Sequence, residues 1–315
     1  MADIIYNEKC EKIINEIKKV MIGKDKAIEL LLVSFLSGGH ILIDDVPGVG
    51  KTTVALALAR ATSLDCKRIQ FNPDIMASDI TGFTAYNKQT SSFEYKEGVV
   101  MTNILIADEI NRTSPKTQSA LLEVMEEGKV TVDGVTRNVK QPFIVVATQN
   151  PIGFIGTHPL PEAQLDRFML RMTIGYPSVD QELKIITDRQ KSNPLDNVCA
   201  VASDIDIMNM RNEIMQITLD EKISKYIVDL VSKTREHEDI LLAASPRASL
   251  SLMRAGCAYA YIHGRNYVVP DDINEILPYV LGHRIVLTPE AKISHKTTND
   301  VLNEIKNLVS VPMTR

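Results

Sequence analysis

The 315-residue sequence contains no tryptophan, and aromatic residues make up only 5% of it. It also has only four cysteines and six histidines. Neither type shows the spacing of a metal site or of a disulfide framework, so we interpret the cysteines as small hydrophobic residues in a reducing compartment. The cysteines are Cys10, Cys66, Cys199 and Cys257, and the histidines are His40, His158, His237, His263, His283 and His295.

Long apolar runs are also absent. The best candidate, residues 28–36, is interrupted by Glu29 and Ser34 and is far shorter than the roughly 18 residues that a membrane span needs. The first six residues carry no basic segment, so we expect no signal peptide. These absences favour a cytoplasmic protein without a membrane span.

Positive charge is scarce as well, since 35 basic residues against 40 acidic ones give a formal net charge of −5. A general nucleic-acid-binding protein draws much of its affinity from Lys and Arg side chains that neutralise phosphates, so this balance argues against that class. The content of 44% hydrophobic and 24% charged residues is typical of a globular protein. The length is enough for two domains of roughly 150 residues each.

The sequence does contain a regular alternation of strands and helices. Short apolar runs predict five strands, at about residues 40–44, 68–71, 103–107, 143–148 and 168–174. Apolar residues at helical spacing predict helices at about residues 8–21, 25–36, 51–61 and 114–127. This alternation predicts an α/β fold, with a parallel five-stranded sheet between helices.

Two segments interrupt the alternation. Residues 74–100 form a long polar insert, and residues 129–141 alternate apolar and polar side chains around Asp133-Gly134, a pair typical of a hairpin turn. After Pro177 only helical periods follow. We therefore predict a core over residues 1–178 and an all-helical C-terminal domain over residues 179–315.

A glycine loop lies between the first predicted strand and the following helix. Residues 45–52 read Asp-Val-Pro-Gly-Val-Gly-Lys-Thr, which matches the Walker A phosphate-binding pattern in its last half. Lys51 would reach the β and γ phosphates, and Thr52 would bind Mg²⁺. The first position holds Asp45 instead of glycine, which fits only if its carboxylate points away from the phosphates. The alternative is a glycine turn that caps an ordinary helix.

Two acidic residues follow the third predicted strand. Asp108 and Glu109 end the apolar run Ile-Leu-Ile-Ala, at the carboxyl edge of the sheet where ligands bind in open α/β folds. This is the pattern of a Walker B segment, in which Asp108 would hold Mg²⁺ and Glu109 would activate the attacking water. Together the two motifs predict ATP and Mg²⁺ as ligands.

Longer motifs resemble the MoxR family of AAA+ ATPases, with similarity over about residues 20–290. The segments that carry the resemblance are residues 107–112, 114–116, 118–123, 125–128, 147–151, 160–168, 245–248 and 264–268. The family implies an AAA+ core followed by a helical lid. It also implies that residues 74–100 are a helix-2 insert and residues 129–141 a pre-sensor-1 hairpin.

The resemblance also implies residue roles. Asn150 is similar to sensor 1, Arg167 to an arginine finger that enters a neighbouring subunit, and Arg247 to sensor 2 in the lid. The segment implied to contact adenine is Ile22-Gly23, and the phosphate-binding residues are Pro47, Gly48, Val49, Gly50, Lys51, Thr52 and Thr53.

A purely structural alternative remains for two of these residues. Arg167 could form a surface ion pair with Asp166 or Glu162, and Asn150 could be a turn former before Pro151. Arg112 could form an ion pair at the start of a helix, and its role stays open.

The function implied by the family is a ring, six subunits by analogy, that hydrolyses ATP and remodels or matures partner proteins. Such a client could be a separate protein with a von Willebrand A domain. The alternatives are a magnesium-chelatase motor subunit, a nucleic-acid motor, and a nucleotide-gated binding module without turnover. The acidic net charge and the few basic residues near the hairpin, Lys129, Arg137 and Lys140, argue against the nucleic-acid motor.

Overall fold

A computed structural model describes residues 6–150 and 158–313 of the chain. Its central sheet has five parallel strands in the order β2-β5-β8-β1-β9, which confirms the predicted α/β class. The strands of this sheet are β1 Ile41–Asp44, β2 Cys66–Gln70, β5 Ile104–Asp108, β8 Ile144–Gln149 and β9 Leu170–Met172.

Helices cover both faces of the sheet because its strands are apolar on both sides. Alternate side chains of a strand point to opposite faces, and Ile41 and Ile43 accordingly join one buried cluster while Leu42 joins the other. The first cluster includes α1, α2 and α3, and the second includes α5. The core helices are α1 Glu8–Lys18, α2 Asp25–Leu36, α3 Lys51–Ala61, α4 Ala77–Thr81, α5 Pro115–Glu127 and α6 Glu162–Leu165.

Two antiparallel hairpins extend from the core. In the first, β3 Gly82–Asn87 pairs with β4 Ser92–Glu97 over six residue pairs, within a segment for which the sequence indicated only a polar insert. In the second, β6 Lys129–Val132 pairs with β7 Val135–Asn138. Asp133 and Gly134 both have positive φ, 50° and 75°, as a type I′ turn requires.

The C-terminal part is helical, as expected, with one short addition. Strand β10 Ile240–Leu242 pairs antiparallel with β11 Val286–Leu287. Strands of three and two residues are too short to show a period-of-two pattern, so no local signal predicts them. The helices are α7 Val179–Lys191, α8 Asp204–Ile214, α9 Glu221–Glu236, α10 Pro246–Ile262, α11 Pro270–Leu281, α12 Pro289–Ile293 and α13 Thr298–Leu308.

Buried polar contacts join the two parts of the chain. Arg284, only 5% exposed, bonds through Nε to Asp166 Oδ1 at 2.6 Å. Arg211 donates through Nη2 to the carbonyl of Phe35 at 2.7 Å. Within the described ranges, no helix is both long enough and apolar enough to span a bilayer.

Candidate functional site

The glycine loop follows β1 and opens α3. Gly48 and Gly50 have φ of 88° and 96°, a conformation that side chains other than glycine rarely adopt. Helix α3 begins at Lys51 with no side-chain cap and no acidic residue in its first turn. Its first N–H groups, at the positive end of the helix dipole, are therefore available to an anion.

The Lys51 amine lies over this loop. Its Nζ donates to the carbonyl oxygen of Asp45 and, at 3.3 Å, to that of Gln149. Burial lowers the pKa of Lys51, and the nearby carboxylates of Asp45, Asp108, Asp44 and Glu109 oppose that shift. Acidic groups therefore surround this amine.

The side chain of Asp45 is directed to the end of β9. Its Oδ2 accepts hydrogen bonds from the backbone N–H groups of Ile174, at 2.7 Å, and Gly175, at 2.6 Å. Its Oδ1 accepts one from Val46 N at 2.8 Å, and the residue is 8% exposed. The carboxylate is therefore held by the segment that leads to α7. It points away from the phosphate-binding side of the loop, as an acidic residue at this position must.

Asp108 lies at the tip of β5, opposite the start of α3. The Thr52 hydroxyl is 3.2 Å from Asp108 Oδ2, and Thr148 donates to Oδ1 at 3.2 Å. Arg68 on β2 pairs with Oδ2 through Nε at 2.7 Å. Asp108 is 5% exposed, so these contacts satisfy a buried carboxylate.

Glu109 follows in a left-handed conformation, with φ of 57°. Its N–H donates to the Thr148 hydroxyl at 3.0 Å. Its carboxylate accepts from Gln70 Nε2 at 2.8 Å and from Arg112 Nη1 at 2.7 Å. A non-glycine residue at positive φ stores backbone strain. The left-handed conformation turns the Glu109 carboxylate away from the direction of β5.

Asn150 directly follows β8, the strand between β5 and β1. It is 7% exposed, and its backbone carbonyl accepts from Asn111 Nδ2 at 3.4 Å. Pro151, the last residue of this motif, lies outside the described residues. Because β1, β8 and β5 are neighbours and parallel, their tips bring Lys51, Asp108 and Asn150 to one edge of the sheet.

A pocket adjoins the loop on the side of the C-terminal domain. It is lined by Val20, Met21, Ile22, Lys24, Gly48, Val49, Gly50, Thr53, Pro177, Ile185 and Arg189. Gly23, with φ of 67°, packs so closely under Gln181 that a Cβ would collide with its side chain. Pro47 is exposed at the start of the loop. Ile185 and Arg189 of α7 were missed from the sequence, because nothing local links that helix to the loop.

Arg167 and Arg247 lie together in a different place. Arg167 Nε is 3.3 Å from Glu126 Oε2, and Arg247 Nη2 is 2.5 Å from Oε1 of the same carboxylate. Both line a cavity that shares no residue with the pocket beside the loop. The ion pair suggested for Arg167 with Asp166 or Glu162 is not what the structure shows, since Asp166 is occupied by Arg284 and by Ser245.

The residues at the sheet edge fit a nucleotide with Mg²⁺. A threonine hydroxyl and a carboxylate 3.2 Å apart supply the oxygen ligands that Mg²⁺ prefers. A cationic amine and two left-handed glycines lie beside them, as a bound polyphosphate requires.

Comparisons with known proteins agree with this arrangement. Residues 40–170 match the model of the ATPase family associated with various cellular activities (AAA), and residues 232–305 match the AAA lid domain. The protein YeaC of Bacillus subtilis is 49% identical over 304 residues, which cover 96% of this chain and 95% of the relative. Chaperone MoxR1 of Mycobacterium tuberculosis is 39% identical, over 96% of this chain and 82% of the relative.

A solved structure gives the same result for the fold. A crystal structure of a protein from Cytophaga hutchinsonii superposes with a TM-score of 0.91 at 39% identity, over 97% of this chain and 95% of that one. The fold and the matched models define an AAA+ ATPase core with its lid. Within that class, the chain belongs to the MoxR family.

Proposed function

We propose that this protein binds ATP with Mg²⁺, hydrolyses it at sites shared between subunits of a ring, and uses the motion to remodel or mature partner proteins. The observation that carries this proposal is the meeting of Lys51, Thr52, Asp108, Glu109 and Asn150 at one edge of the sheet. We propose six subunits by analogy with the family.

The loop and the start of α3 bind the phosphates. Backbone N–H groups at Gly48 and Gly50 and the Lys51 ammonium neutralise the β and γ phosphates. Thr52 and Asp108 would hold Mg²⁺, which when bound offsets charge on the phosphate oxygens. Ile22 and Gly23 border the pocket on the side proposed for the adenine.

Glu109 is the proposed general base. Its carboxylate accepts the proton of the attacking water while Asn150 orients that water or the γ phosphate. Gln70 and Arg112 hold the carboxylate at 2.8 and 2.7 Å, and this tether has to loosen for the base to turn toward the water. Arg112, whose role the sequence left open, is thus proposed to position Glu109.

Arg167 and Arg247 are proposed to act on the neighbouring subunit's nucleotide. Both lie in a cavity separate from their own chain's phosphate loop, so a role at the γ phosphate requires a second copy. A guanidinium aimed at the γ phosphate stabilises the charge that develops as the bond breaks. The resemblance left open whether Arg247 acts in cis, and the shared carboxylate of Glu126 favours the same in-trans role for both arginines.

The β3–β4 hairpin is the proposed client contact. Tyr86 and Phe93 are 54% and 75% exposed and stack edge-on at 5.3 Å on one face of the hairpin, and Phe83, 49% exposed, lies on the other face. Exposed aromatic side chains in a small area are typical of protein-binding surfaces.

The second hairpin is less suited to binding nucleic acid, because the basic residues in and beside the hairpin already contact other side chains of the same chain. Lys129 pairs with Glu127, Lys140 pairs with Asp65, and Arg137 stacks 3.9 Å from the centre of the Tyr95 ring. The client could be a separate protein with a von Willebrand A domain. A magnesium-chelatase motor would use the same ATP site and would differ only in the partner protein on which it acts.

The test is phosphate release by the Glu109→Gln variant. We expect ATP binding to persist and turnover to fall roughly 10²–10⁴-fold, because the amide cannot accept a proton. Glu127→Gln, on the exposed end of α5, is the matched control and should retain the parent rate. Parent-like hydrolysis by Glu109→Gln would remove Glu109 from the mechanism.

A further inference from the structure

Helix α7 carries an apolar stripe on its outer face. Val179, Leu183 and Ile186 are 84%, 65% and 64% exposed, and their spacing of four and three residues places them on one side of the helix. Among the described residues, no other helix exposes three large apolar side chains on one face. We call these three residues the α7 stripe.

The same helix borders the proposed nucleotide pocket. Ile185 and Arg189 line the pocket beside the phosphate loop, and Gln181 packs on Gly23. Successive residues of a helix are about 100° apart, since 3.6 residues make one turn. The α7 stripe therefore points away from the pocket. Its exposed side chains are not packed in the core of their own subunit.

An apolar groove of about 750 Å³ lies between α2, α8 and α10. Met208, Met215 and Met253 line it, together with Leu36 and Cys257. Methionine is flexible and polarisable and adapts to irregular apolar partners. We call this feature the methionine groove.

The methionine groove continues from the cavity that holds Arg167 and Arg247. Gly38 and Arg254 line both. On α10, Arg247, Leu250 and Arg254 are three and four residues apart and share one face. Leu250 is 53% exposed. One side of α10 thus runs from a proposed in-trans arginine directly into the groove.

We infer that the α7 stripe of one subunit docks in the methionine groove of the next. This inference rests on the proposed shared ATP site. If Arg167 and Arg247 reach a neighbour's phosphates, the two subunits face each other around that site. The surface next to these arginines then lies against the surface next to the neighbour's phosphate loop. That second surface is α7.

Charge supports the same pairing. Arg254 is exposed and forms no ion pair with any described residue. Helix α7 carries Asp180 and Glu182 in its first turn, beside the stripe. Interfaces combine an apolar centre, often rich in methionine, with a polar rim, and these acids are suited to Arg254 at such a rim.

The contact gives nucleotide state a path between subunits. Nucleotide in the pocket touches one face of α7, and the neighbour holds the opposite face. A shift of α7 on binding or release therefore moves the neighbour's α10, which carries Arg247.

Cross-linking between two variants that each carry one introduced cysteine tests the contact directly. The background is Cys66→Ser, Cys199→Ser and Cys257→Ser, which removes the exposed thiol and the two half-buried ones, including the one that lines the groove, and leaves only the buried Cys10. Leu183→Cys in one chain and Met215→Cys in the other are mixed with a non-hydrolysable ATP analogue and a short bismaleimide. We expect covalent dimers in the mixture and little in either variant alone. Leu308→Cys, at the same 65% exposure as Leu183, replaces Leu183→Cys in the control and should give none.

Assembly measured by light scattering separates the possible failures. Leu183→Asp should weaken nucleotide-dependent assembly roughly tenfold or more and leave binding of a fluorescent nucleotide near normal, whereas Leu308→Asp should assemble like the parent. The contact would be overturned if the parent assembles but the mixture gives no cross-link, or if Leu183→Cys chains link to each other. Either result would leave the proposed ring unaffected. A parent that stays monomeric would overturn both.

Discussion

Asp45 replaces the usual first glycine of the phosphate loop, and its removal gives a measurable result. Its carboxylate accepts three backbone hydrogen bonds, at 2.8 Å from Val46, 2.7 Å from Ile174 and 2.6 Å from Gly175. In Asp45→Ala these donors lose their partner, and the Ile174 N–H is buried. An unsatisfied buried donor costs about 1–3 kcal/mol.

We therefore expect Asp45→Ala to lower the free energy of unfolding by about 1–3 kcal/mol, because water can reach the half-buried Gly175 N–H but not that of Ile174. Asp45→Asn keeps one acceptor oxygen and should lose about half as much. Urea unfolding gives the free energy, and hydrogen exchange of the peptide over residues 170–178 should show faster exchange at these two amides.

The matched control is Asp229→Ala, which removes an exposed carboxylate that pairs, among the described residues, with Lys225 alone. It should change the free energy of unfolding by no more than about 0.5 kcal/mol. A loss below that value in Asp45→Ala, with unchanged exchange over residues 170–178, would refute the argument that Asp45 holds the loop to the segment before α7.

Two further predictions concern residues that the sequence did not single out. Glu126→Gln should lower kcat roughly tenfold to a hundredfold with little change in KM, because it releases both Arg167 and Arg247 from a common anchor. Glu127→Gln is the control and should keep the parent kcat. Equal rates in the two variants would contradict the proposal that Glu126 positions the two arginines. His40 accepts at Nδ1 from Val145 and donates at Nε2 to Met125, both at 2.9 Å, and burial lowers its pKa to about 4. The unfolded chain takes up this proton first, near pH 6.5, so stability is complete above that pH and falls by up to about 3 kcal/mol as the pH drops toward 4. Unfolding at pH 7.5 and 5 should show a smaller pH-dependent loss in His40→Gln, and an identical loss would exclude His40 as its source.

The features that could be predicted from the sequence are the local ones. The Walker motifs lie within a few residues of strands whose apolar runs are visible, so the positions of Lys51 and Asp108 at one sheet edge follow from the sequence alone. The five predicted strands agree with the observed ones to within about two residues for the same reason.

The features that could not be predicted depend on distant contacts. Asp166 is an obvious partner for Arg167 in the sequence, but Arg284, 118 residues away, occupies it. Gln70 reaches Glu109 only because β2 and β5 are paired so that Gln70 lies opposite Asp108. No local pattern specifies which strands become neighbours.

The central claim, an ATP site shared between subunits, is tested most directly by mixing two inactive variants. Arg167→Ala keeps an intact phosphate loop, and Lys51→Ala keeps an intact Arg167. Each alone should hydrolyse ATP slowly, since an arginine finger contributes roughly 10³–10⁵-fold in rate in related systems and Lys51 is proposed to hold the phosphates. In mixed rings some loops meet an intact arginine of the next subunit, so phosphate release should recover in part. Mixed rings that are shown to form and yet recover no activity would contradict the shared site.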